Sequence, residues 1–330
     1  MASFDIAAGA LGTSRDVLDE AKAEALAAEL RSAQEAGCTE IRLTGKSFTR
    51  EAAAIVAPVL SAMSGLVKVD MSDVIASRPE DEGLDVLRTL SGALVGSKDT
   101  LVELNLSDNA LGEKGIRACA ALLEEFEALR RLYLENNGLS AEACALIAEV
   151  LMFRGEEEEL PLTLFHFHDN MCGDLGGVNL SKLVAKLTQV TSLRFSKTRC
   201  GREGCAAIAA AVASCEALEV ANFEDVTFGG DGAAVLARSL EKCPSLRHLN
   251  VRDSMLEEEG AEELLEMLST NAEGLEFLDL SGNDLMADSV EKVVACLKEK
   301  PALKYLALDD NEIGNKGVFL LGQAITTPGQ

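Results

Sequence analysis

A pattern of spaced leucines recurs through most of this 330-residue chain and constrains its fold more than any other feature. The clearest copies read LVELNLSDNALG from Leu101, LRRLYLENNGLS from Leu129, LEFLDLSGNDLM from Leu275 and LKYLALDDNEIG from Leu303. Weaker copies begin at Cys38, Leu66, Leu162, Val190, Leu218 and Leu246. Successive copies start 28, 35, 28, 33, 28, 28, 28, 29 and 28 residues apart. Such a period indicates one small structural unit per copy.

The copies fit L-x-x-L-x-L-x-x-N-x-L, the pattern of the leucine-rich repeat. Positions 4 and 6 alternate with polar neighbours, which is typical of a short strand with one buried face. The remainder, for example EKGIRACAALLEEFEAL, has helical periodicity, and the spacing leaves room for a full helix. We therefore predict an α/β leucine-rich-repeat solenoid of the ribonuclease-inhibitor type. It has ten βα repeats of about 28 residues, with parallel strands on the concave face and helices outside.

The first 37 residues precede the first copy and are predicted to cap it. SFDIAAG is a candidate strand, and residues 14–37 are predicted to form a helix that starts at Ser14 and stops at Gly37. We predict a single domain over residues 1–330, with the cap at 1–37. Repeats 1–10 and a C-terminal helix then occupy residues 38–330.

The charge balance excludes some partner classes. The chain has 55 Asp and Glu against 30 Lys and Arg, for a net charge of −25. This disfavours nucleic acids and anionic membranes and favours a basic protein partner. We expect no membrane insertion, because no apolar run approaches the roughly 18 residues that span a bilayer. The nine cysteines are predicted to be buried, reduced thiols without a metal.

Position 8 of the repeat, just after the strand, is predicted to form a row along one edge. Six copies have aspartate there: Asp73, Asp108, Asp169, Asp225, Asp253 and Asp310. This position-8 strip has two interpretations. It is a docking surface for a basic partner, or the aspartates stabilise the turn through local hydrogen bonds.

Other residues interrupt the strip or adjoin it. Repeat 4 has the neutral Asn136 at position 8, and repeat 6 has Lys197. In repeat 5, His166 and His168 are two residues apart on one strand, so both are expected on the concave side. No third metal ligand is evident, so we predict that the histidines either contact a partner or are simply exposed. Asparagines at position 9 are expected to point inward and bond the backbone.

The two long spacings mark insertions, which in solenoids map to loops. The first contains SDVIASRPEDEGLD with Arg78, and the second contains MFRGEEEELP with the run Glu156–Glu159, interpreted as a solvated loop. No nucleotide-binding, zinc-protease or hydrolase motif accompanies them. The glycine-rich FGGDGAA at 228–234 lies in a strand-to-helix loop and indicates a turn.

Several segments resemble one known family. VDMSDVIASRPEDEGLDVL, LNLSDNALGEKGIRACAALLEEFEALRRLYLENNGLS and LFHFHDNMCGD are similar to the Ran GTPase-activating proteins, most of all the plant and algal branch. The resemblance runs from SFDIAAG through repeat 10. It implies a monomer that binds Ran–GTP, with or without a Ran-binding protein, and stimulates GTP hydrolysis. It implies no cofactor of its own, since the GTPase binds GTP and Mg.

The resemblance also implies residue roles. Family members act without an arginine finger and order the GTPase's own glutamine. An asparagine in the motif Y-L-x-N-[ND]-G makes that contact, and here the motif is Tyr133–Gly138 with Asn136 as the matching residue. The family's interface-organising arginine matches Arg78. Glu135, the histidines, Lys197 and the position-8 strip are the remaining candidate partner-binding residues.

Two departures from the family bear on localisation. The family's acidic C-terminal tail is not present before Gln330, and the plant Trp-Pro-Pro targeting domain is not expected, because the chain has no Trp. We therefore expect a cytoplasmic protein, with nuclear-envelope association reserved for a longer form. Two alternatives remain open: a non-catalytic leucine-rich-repeat binding module or inhibitor for a basic partner, and a scaffold without effect on any rate.

Overall fold

The computed structural model describes residues 2–153 and 159–326. The chain divides into two compact units, unit 1 (Met1–Leu162) and unit 2 (Thr163–Gln330). Each unit consists of successive strand–loop–helix repeats. The predicted α/β leucine-rich-repeat architecture is therefore confirmed, while the prediction of a single domain stays a prediction.

Unit 1 contains a parallel sheet whose strands follow chain order, with one short strand pair beside it. The sheet strands are β1 Ala2–Asp5, β3 Cys38–Arg42, β5 Lys68–Asp70, β6 Glu103–Asn105 and β7 Arg131–Tyr133. The short pair is β2 Val17–Leu18 with β4 Ser47–Phe48. The helices are α1 Glu20–Glu35, α2 Arg50–Ala62, α3 Glu80–Leu94, α4 Gly112–Glu125 and α5 Ala141–Leu151.

Unit 2 repeats this arrangement with a second run of parallel strands. They are β8 Leu164–His168, β9 Ser192–Ser196, β10 Val220–Asn222, β11 His248–Asn250, β12 Phe277–Asp279 and β13 Tyr305–Ala307. The helices are α6 Gly173–Val184, α7 Arg202–Ala211, α8 Gly229–Leu240, α9 Glu257–Thr270, α10 Ser289–Lys298 and α11 Gly314–Thr326. Neighbouring helices within the unit contact each other.

The core is built from the positions that the repeat predicts. Position 4 and position 6 side chains are buried in the first nine copies, as Leu104 and Leu106 illustrate at 0% exposure. Each fully buried leucine contributes about 2 kcal/mol relative to an exposed one. Leu306 and Leu308 of repeat 10 are only half-buried, because β13 pairs with β12 alone among the described strands of unit 2.

The N-terminal cap has the predicted strand but a later helix start. Strand β1 pairs with β3, with Phe4 opposite Ile41. The prediction that the helix begins at Ser14 is wrong, because Val17 and Leu18 form β2 and α1 begins at Glu20. The Asp19 carboxylate accepts from the Lys22 amide at 2.9 Å, which is an N-cap bond. The predicted stop is confirmed, since Gly37 adopts φ +73° just beyond α1.

The cysteines and helices agree with an apolar interior. All nine cysteines are free and buried, as predicted. Cys200 contacts both Cys205 and Cys172, and these contacts together with burial raise its pKa. Within the described ranges, no His, Cys, Asp and Glu side chains group in a way that would hold a metal ion. No helix in those ranges combines the length and apolarity that crossing a bilayer requires.

Candidate functional site

Position 8 has the same unusual backbone in all ten repeats. Its φ angle is positive, between +49° and +75°, at Gly45, Asp73, Asp108, Asn136, Asp169, Lys197, Asp225, Asp253, Gly282 and Asp310. This left-handed region favours Gly, Asn and Asp over other residues. Its amide also continues the pairing beyond the strand, as where Asp225 N–H donates to the Arg252 carbonyl at 2.9 Å. Backbone conformation therefore accounts for the residue types at this position in nine of the ten copies, and Lys197 is the exception.

Asn136 lies at the exposed end of such a turn, after β7. Its Nδ2 donates to Oδ1 of Asp108 in the preceding repeat at 2.8 Å. The two turns are also joined through the backbone, because the Asp108 amide donates to the Glu135 carbonyl at 3.0 Å. The Glu135 amide in turn donates to Oγ of buried Ser107 at 3.1 Å. Asn136 is thus a neutral, exposed side chain on a well-braced turn.

A buried asparagine ladder lies directly beneath these turns. Asn109 Nδ2 donates to the carbonyls of Met71, Leu106 and Ser107 at 2.8–3.1 Å. Asn137 Oδ1 accepts from the Asn109 amide at 2.9 Å. The structural role predicted for position 9 is confirmed, and these hydrogen bonds join the turns of adjacent repeats.

Tyr133 and its neighbours lie on the strand face near this turn. The Arg131 guanidinium lies 2.7 Å from the Glu103 carboxylate on the adjacent strand. Partial burial, followed by the nearby Glu103 charge, raises the pKa of the Tyr133 phenol above its ordinary value. The phenol therefore stays protonated at neutral pH.

Arg78 lies in the first insertion, between β5 and α3, as predicted. The preceding Ser77 has φ +60°, and Pro79 directly precedes α3. The Arg78 side chain is only 17% exposed, and its Nη1 lies 3.7 Å from Glu82 Oε2. Its Nε is buried without a hydrogen-bond partner in this structure. The Arg78 side chain therefore packs against its own chain and does not extend into solvent.

A cavity of about 710 Å³ lies between the Arg78 loop and the turn that contains Asp108. Apolar side chains line it, including Ile75, Leu84, Leu87 and Leu111. Asp108 and Arg78 also line it, so the cavity lies beside the aspartate that holds Asn136. Its mixed apolar and charged lining is suited to a partner side chain.

Two residues of this region were missed by the sequence reasoning. Arg15 lines the cavity and forms an ion pair with Asp73. Buried Lys46 donates to the carbonyls of Leu11, at 3.1 Å, and Ser14, and so holds the loop that contains Arg15. Lys46 occupies position 9 of repeat 1, where five other copies have asparagine and none has a charged residue, and this departure was an available signal.

In unit 2, the candidate residues form local pairs. His168 is 9% exposed, and its Nδ1 lies 2.6 Å from Asp169 Oδ2. His166 Nε2 lies 3.0 Å from Ser192 Oγ. Lys197 Nζ lies 3.1 Å from Glu224 Oε1.

The remaining strip aspartates of unit 2 differ in their surroundings. Arg252 lies between two of them, with Nε 3.3 Å from Asp253 Oδ2 and Nη2 3.4 Å from Asp310 Oδ2. The side chain of Asp225 is exposed. The negative charge of the position-8 strip is therefore offset at several points by cations of this chain.

Two other features from the sequence have simple outcomes. The prediction that the glycine-rich segment 228–234 lies in a strand-to-helix loop is wrong for most of it, because α8 begins at Gly229, which has φ +65°. In the run Glu156–Glu159 of the second insertion, Glu156–Glu158 lie outside the described residues.

The chain is similar to one family model and to several known proteins. The leucine-rich-repeat family model matches residues 98–118 and 300–322. A crystal structure of an internalin from Listeria monocytogenes aligns over 87% of this chain and 78% of its own, with 15% identity and a TM-score of 0.41.

Among curated proteins, the chain is 47% identical over 132 residues to RAN GTPase-activating protein 1 of Arabidopsis thaliana, covering 40% of this chain and 23% of that protein. It is 35% identical over 117 residues to Ran GTPase-activating protein 1 of Xenopus laevis, covering 35% and 20%. It is also 39% identical over 85 residues to the human NACHT, LRR and PYD domains-containing protein 3, covering 26% and 8%. The chain thus matches less than a quarter of the length of these relatives. The chain has a leucine-rich-repeat architecture, and its sequence is similar to the Ran GTPase-activating proteins, with higher identity to the plant protein than to the frog protein.

Proposed function

We propose that this chain stimulates GTP hydrolysis by the small GTPase Ran. The observation that carries the proposal is its similarity to proteins of that name from a plant, a frog and a yeast, at 47%, 35% and 30% identity. The match to the human protein of another name is shorter, at 85 residues against 132. The longer match to the proteins of that name supports the proposal over a likeness of the repeats alone.

Asn136 is the proposed catalytic contact. Its exposed amide offers both a donor and an acceptor without a charge. A carboxylate in its place would repel the γ-phosphate of the bound nucleotide. In this proposal Asn136 holds the glutamine of Ran, which in turn orients the attacking water. Positioning of this kind changes rates strongly, because a misplacement of about 1 Å costs on the order of a hundredfold.

Arg78 is the proposed organiser of the docking loop. An arginine finger must extend into the partner's nucleotide site. The Arg78 side chain is instead 83% covered and lies near Glu82 of its own helix. This packing supports a mechanism in which Arg78 does not act as an arginine finger. Arg78 instead shapes the cavity beside Asp108.

Docking is proposed to use the cavity of unit 1, and the candidate residues of unit 2 are proposed as separate contacts. The net charge of −25 would steer a basic face of Ran–GTP toward the chain. The partner brings GTP and Mg, so no cofactor of this chain takes part, and an accessory Ran-binding protein is a further candidate partner. A cytoplasmic monomer is part of the same proposal, and the nine buried free thiols are in keeping with a reducing compartment.

The test measures phosphate release from GTP-loaded Ran with the chain at catalytic concentration. Many turnovers per molecule are expected. Asn136→Ala and Asn136→Gly should each lower the single-turnover rate about a hundredfold, while Ran–GTP binding is retained. Glycine is the more informative change, because it accepts the φ of +49° without strain.

The matched control is Asn315→Ala, which removes an exposed asparagine amide on α11 and should leave the rate unchanged. A rate near that of the unsubstituted chain for Asn136→Gly would show that the mechanism is wrong. Stoichiometric binding without any stimulated hydrolysis would instead support the binding-module alternative, which the acidic composition also favours.

A further inference from the structure

We propose that Asp108 is the positioning residue for Asn136, and that it holds the Asn136 amide with its carbonyl oxygen facing outward. This inference deepens the proposed function and rests on it for its consequence in catalysis. Its structural content, the orientation of one side-chain amide, is independent of any partner.

The chemistry of the pair fixes the orientation. An ionised carboxylate only accepts hydrogen bonds, whereas an asparagine amide has a donor end and an acceptor end. Asp108 Oδ1 and Asn136 Nδ2 are 2.8 Å apart. The reversed amide would place two acceptor oxygens against each other. Hydrogen bonds with a charged acceptor are also stronger than neutral ones. Asp108 therefore selects one of the two amide orientations.

The backbone keeps the two side chains at this distance. Asp108 and Asn136 both occupy position 8, with φ of +61° and +49°. The Asp108 amide donates to the Glu135 carbonyl at 3.0 Å, next to Asn136 in the chain. The pair is thus a consequence of two stacked left-handed turns, one of which has Asp and the other Asn.

The outward oxygen matches what a catalytic glutamine requires. A glutamine that orients an attacking water uses its carbonyl oxygen to accept from that water. Its NH₂ group then remains to donate to the activating protein. Asn136 must offer an acceptor to receive that bond, and its Oδ1 is the acceptor. With the reversed amide, two NH₂ groups would face each other and the glutamine would lose its anchor.

Asp108→Gly is the decisive variant, because it removes the carboxylate without straining the turn. Glycine already occupies position 8 in repeats 1 and 9, at Gly45 with φ +75° and Gly282 with φ +66°. The control is Asp284→Gly, which removes an exposed aspartate with φ +58° outside position 8. Both variants change the net charge equally.

The first measurement is the NMR signal of the Asn136 side-chain NH₂ in the chain alone. We expect slow solvent exchange of one amide proton, lost in Asp108→Gly and kept in Asp284→Gly. An Asn136 signal that is the same in Asp108→Gly as in the unsubstituted chain overturns the inference, whatever the activity toward Ran.

The second measurement is a double-mutant cycle on stimulated hydrolysis at saturating Ran–GTP. Asp108→Gly should lower the maximal rate about tenfold, the scale of one charge-assisted hydrogen bond, with KM nearly unchanged. In the Asn136→Ala background it should have almost no further effect. An equal loss in both backgrounds would mean that Asp108 acts independently of Asn136. Failure of the proposed function is distinct, because the unsubstituted chain would then give no stimulation at all.

Discussion

Substitutions at Asp225 separate the two interpretations of the position-8 strip. Asp225 is exposed and has φ +53°. A left-handed conformation costs an L-residue with a Cβ about 1–2 kcal/mol, less for Asp and Asn, and nothing for Gly. We therefore expect Asp225→Asn to leave the free energy of unfolding nearly unchanged. Asp225→Ala should lower it by about 1 kcal/mol.

Asp225→Gly is expected between these two. Glycine relieves the native strain, but it also increases the entropy of the unfolded chain by about 0.4–1 kcal/mol. Urea unfolding, monitored by circular dichroism, measures the free energy of unfolding of each variant. We expect it to be highest with Asp or Asn at position 225, lower with Gly and lowest with Ala. A variant Asp225→Ala as stable as Asp225→Asn would refute the argument from backbone conformation.

The docking interpretation predicts a different order for the same variants. If the strip attracts a basic partner, all three substitutions remove the same charge and should weaken Ran–GTP binding equally. The loss should shrink as added salt screens the interaction. Binding that is unchanged in Asp225→Asn would remove this aspartate from the docking surface. The two readouts are independent, so both interpretations can be confirmed together.

Three further predictions concern other parts of the chain. Asn283→Ala should lower the free energy of unfolding by about 2–5 kcal/mol, because Asn283 Oδ1 accepts from the buried amides of Ser254 and Leu256 at 3.1 and 3.2 Å. Urea unfolding measures this loss, and a loss under about 1 kcal/mol contradicts the prediction. Arg78→Ala should lower kcat/KM for Ran–GTP by loosening the loop between β5 and α3, which lines the cavity. An unchanged value would exclude a role of Arg78 in organising that loop. Burial lowers the pKa of His248 below its ordinary 6.5, so the unfolded chain binds a proton more readily than the folded chain. Protonation of His248 therefore lowers the free energy of unfolding as the pH falls below about 6.5. Between about pH 7.5 and about pH 5, His248→Phe should lose less stability than the unsubstituted chain.

The parts of the fold that the sequence predicted depend on local periodicity. Alternation at positions 4 and 6 predicts a buried strand face, and Leu104 and Leu106 are buried. Asparagine at position 9 predicts an inward amide, and Asn109 and Asn137 are bonded in this way. These inferences succeed because each repeat meets a neighbour of the same pattern, so local chemistry recurs in the packing.

The parts that were not predicted depend on contacts between residues far apart in the chain. Arg15 and Asp73 are 58 residues apart and form an ion pair, and Lys46 bonds the N-terminal loop that contains Arg15. Cys172 approaches Cys200 through the stacking of adjacent repeats. The helix start at Asp19 and not Ser14 follows from the β2–β4 pairing. The 28-residue period marks the approach of Cys172 to Cys200, whereas neither spacing nor composition marks the Arg15–Asp73 pair or the β2–β4 pairing.

The left-handed turn changes what the aspartates at position 8 can say about function. Because every copy has positive φ there, the backbone alone favours glycine, asparagine and aspartate, and Lys197 is the one departure. The row of aspartates is therefore weak evidence for a docking surface. The informative copies are those in which the residue type at position 8 changes a contact with the adjacent repeat. At Asn136 the neutral amide sits against Asp108, and this pairing gives the side chain a fixed polarity that neither a second aspartate nor a glycine could provide.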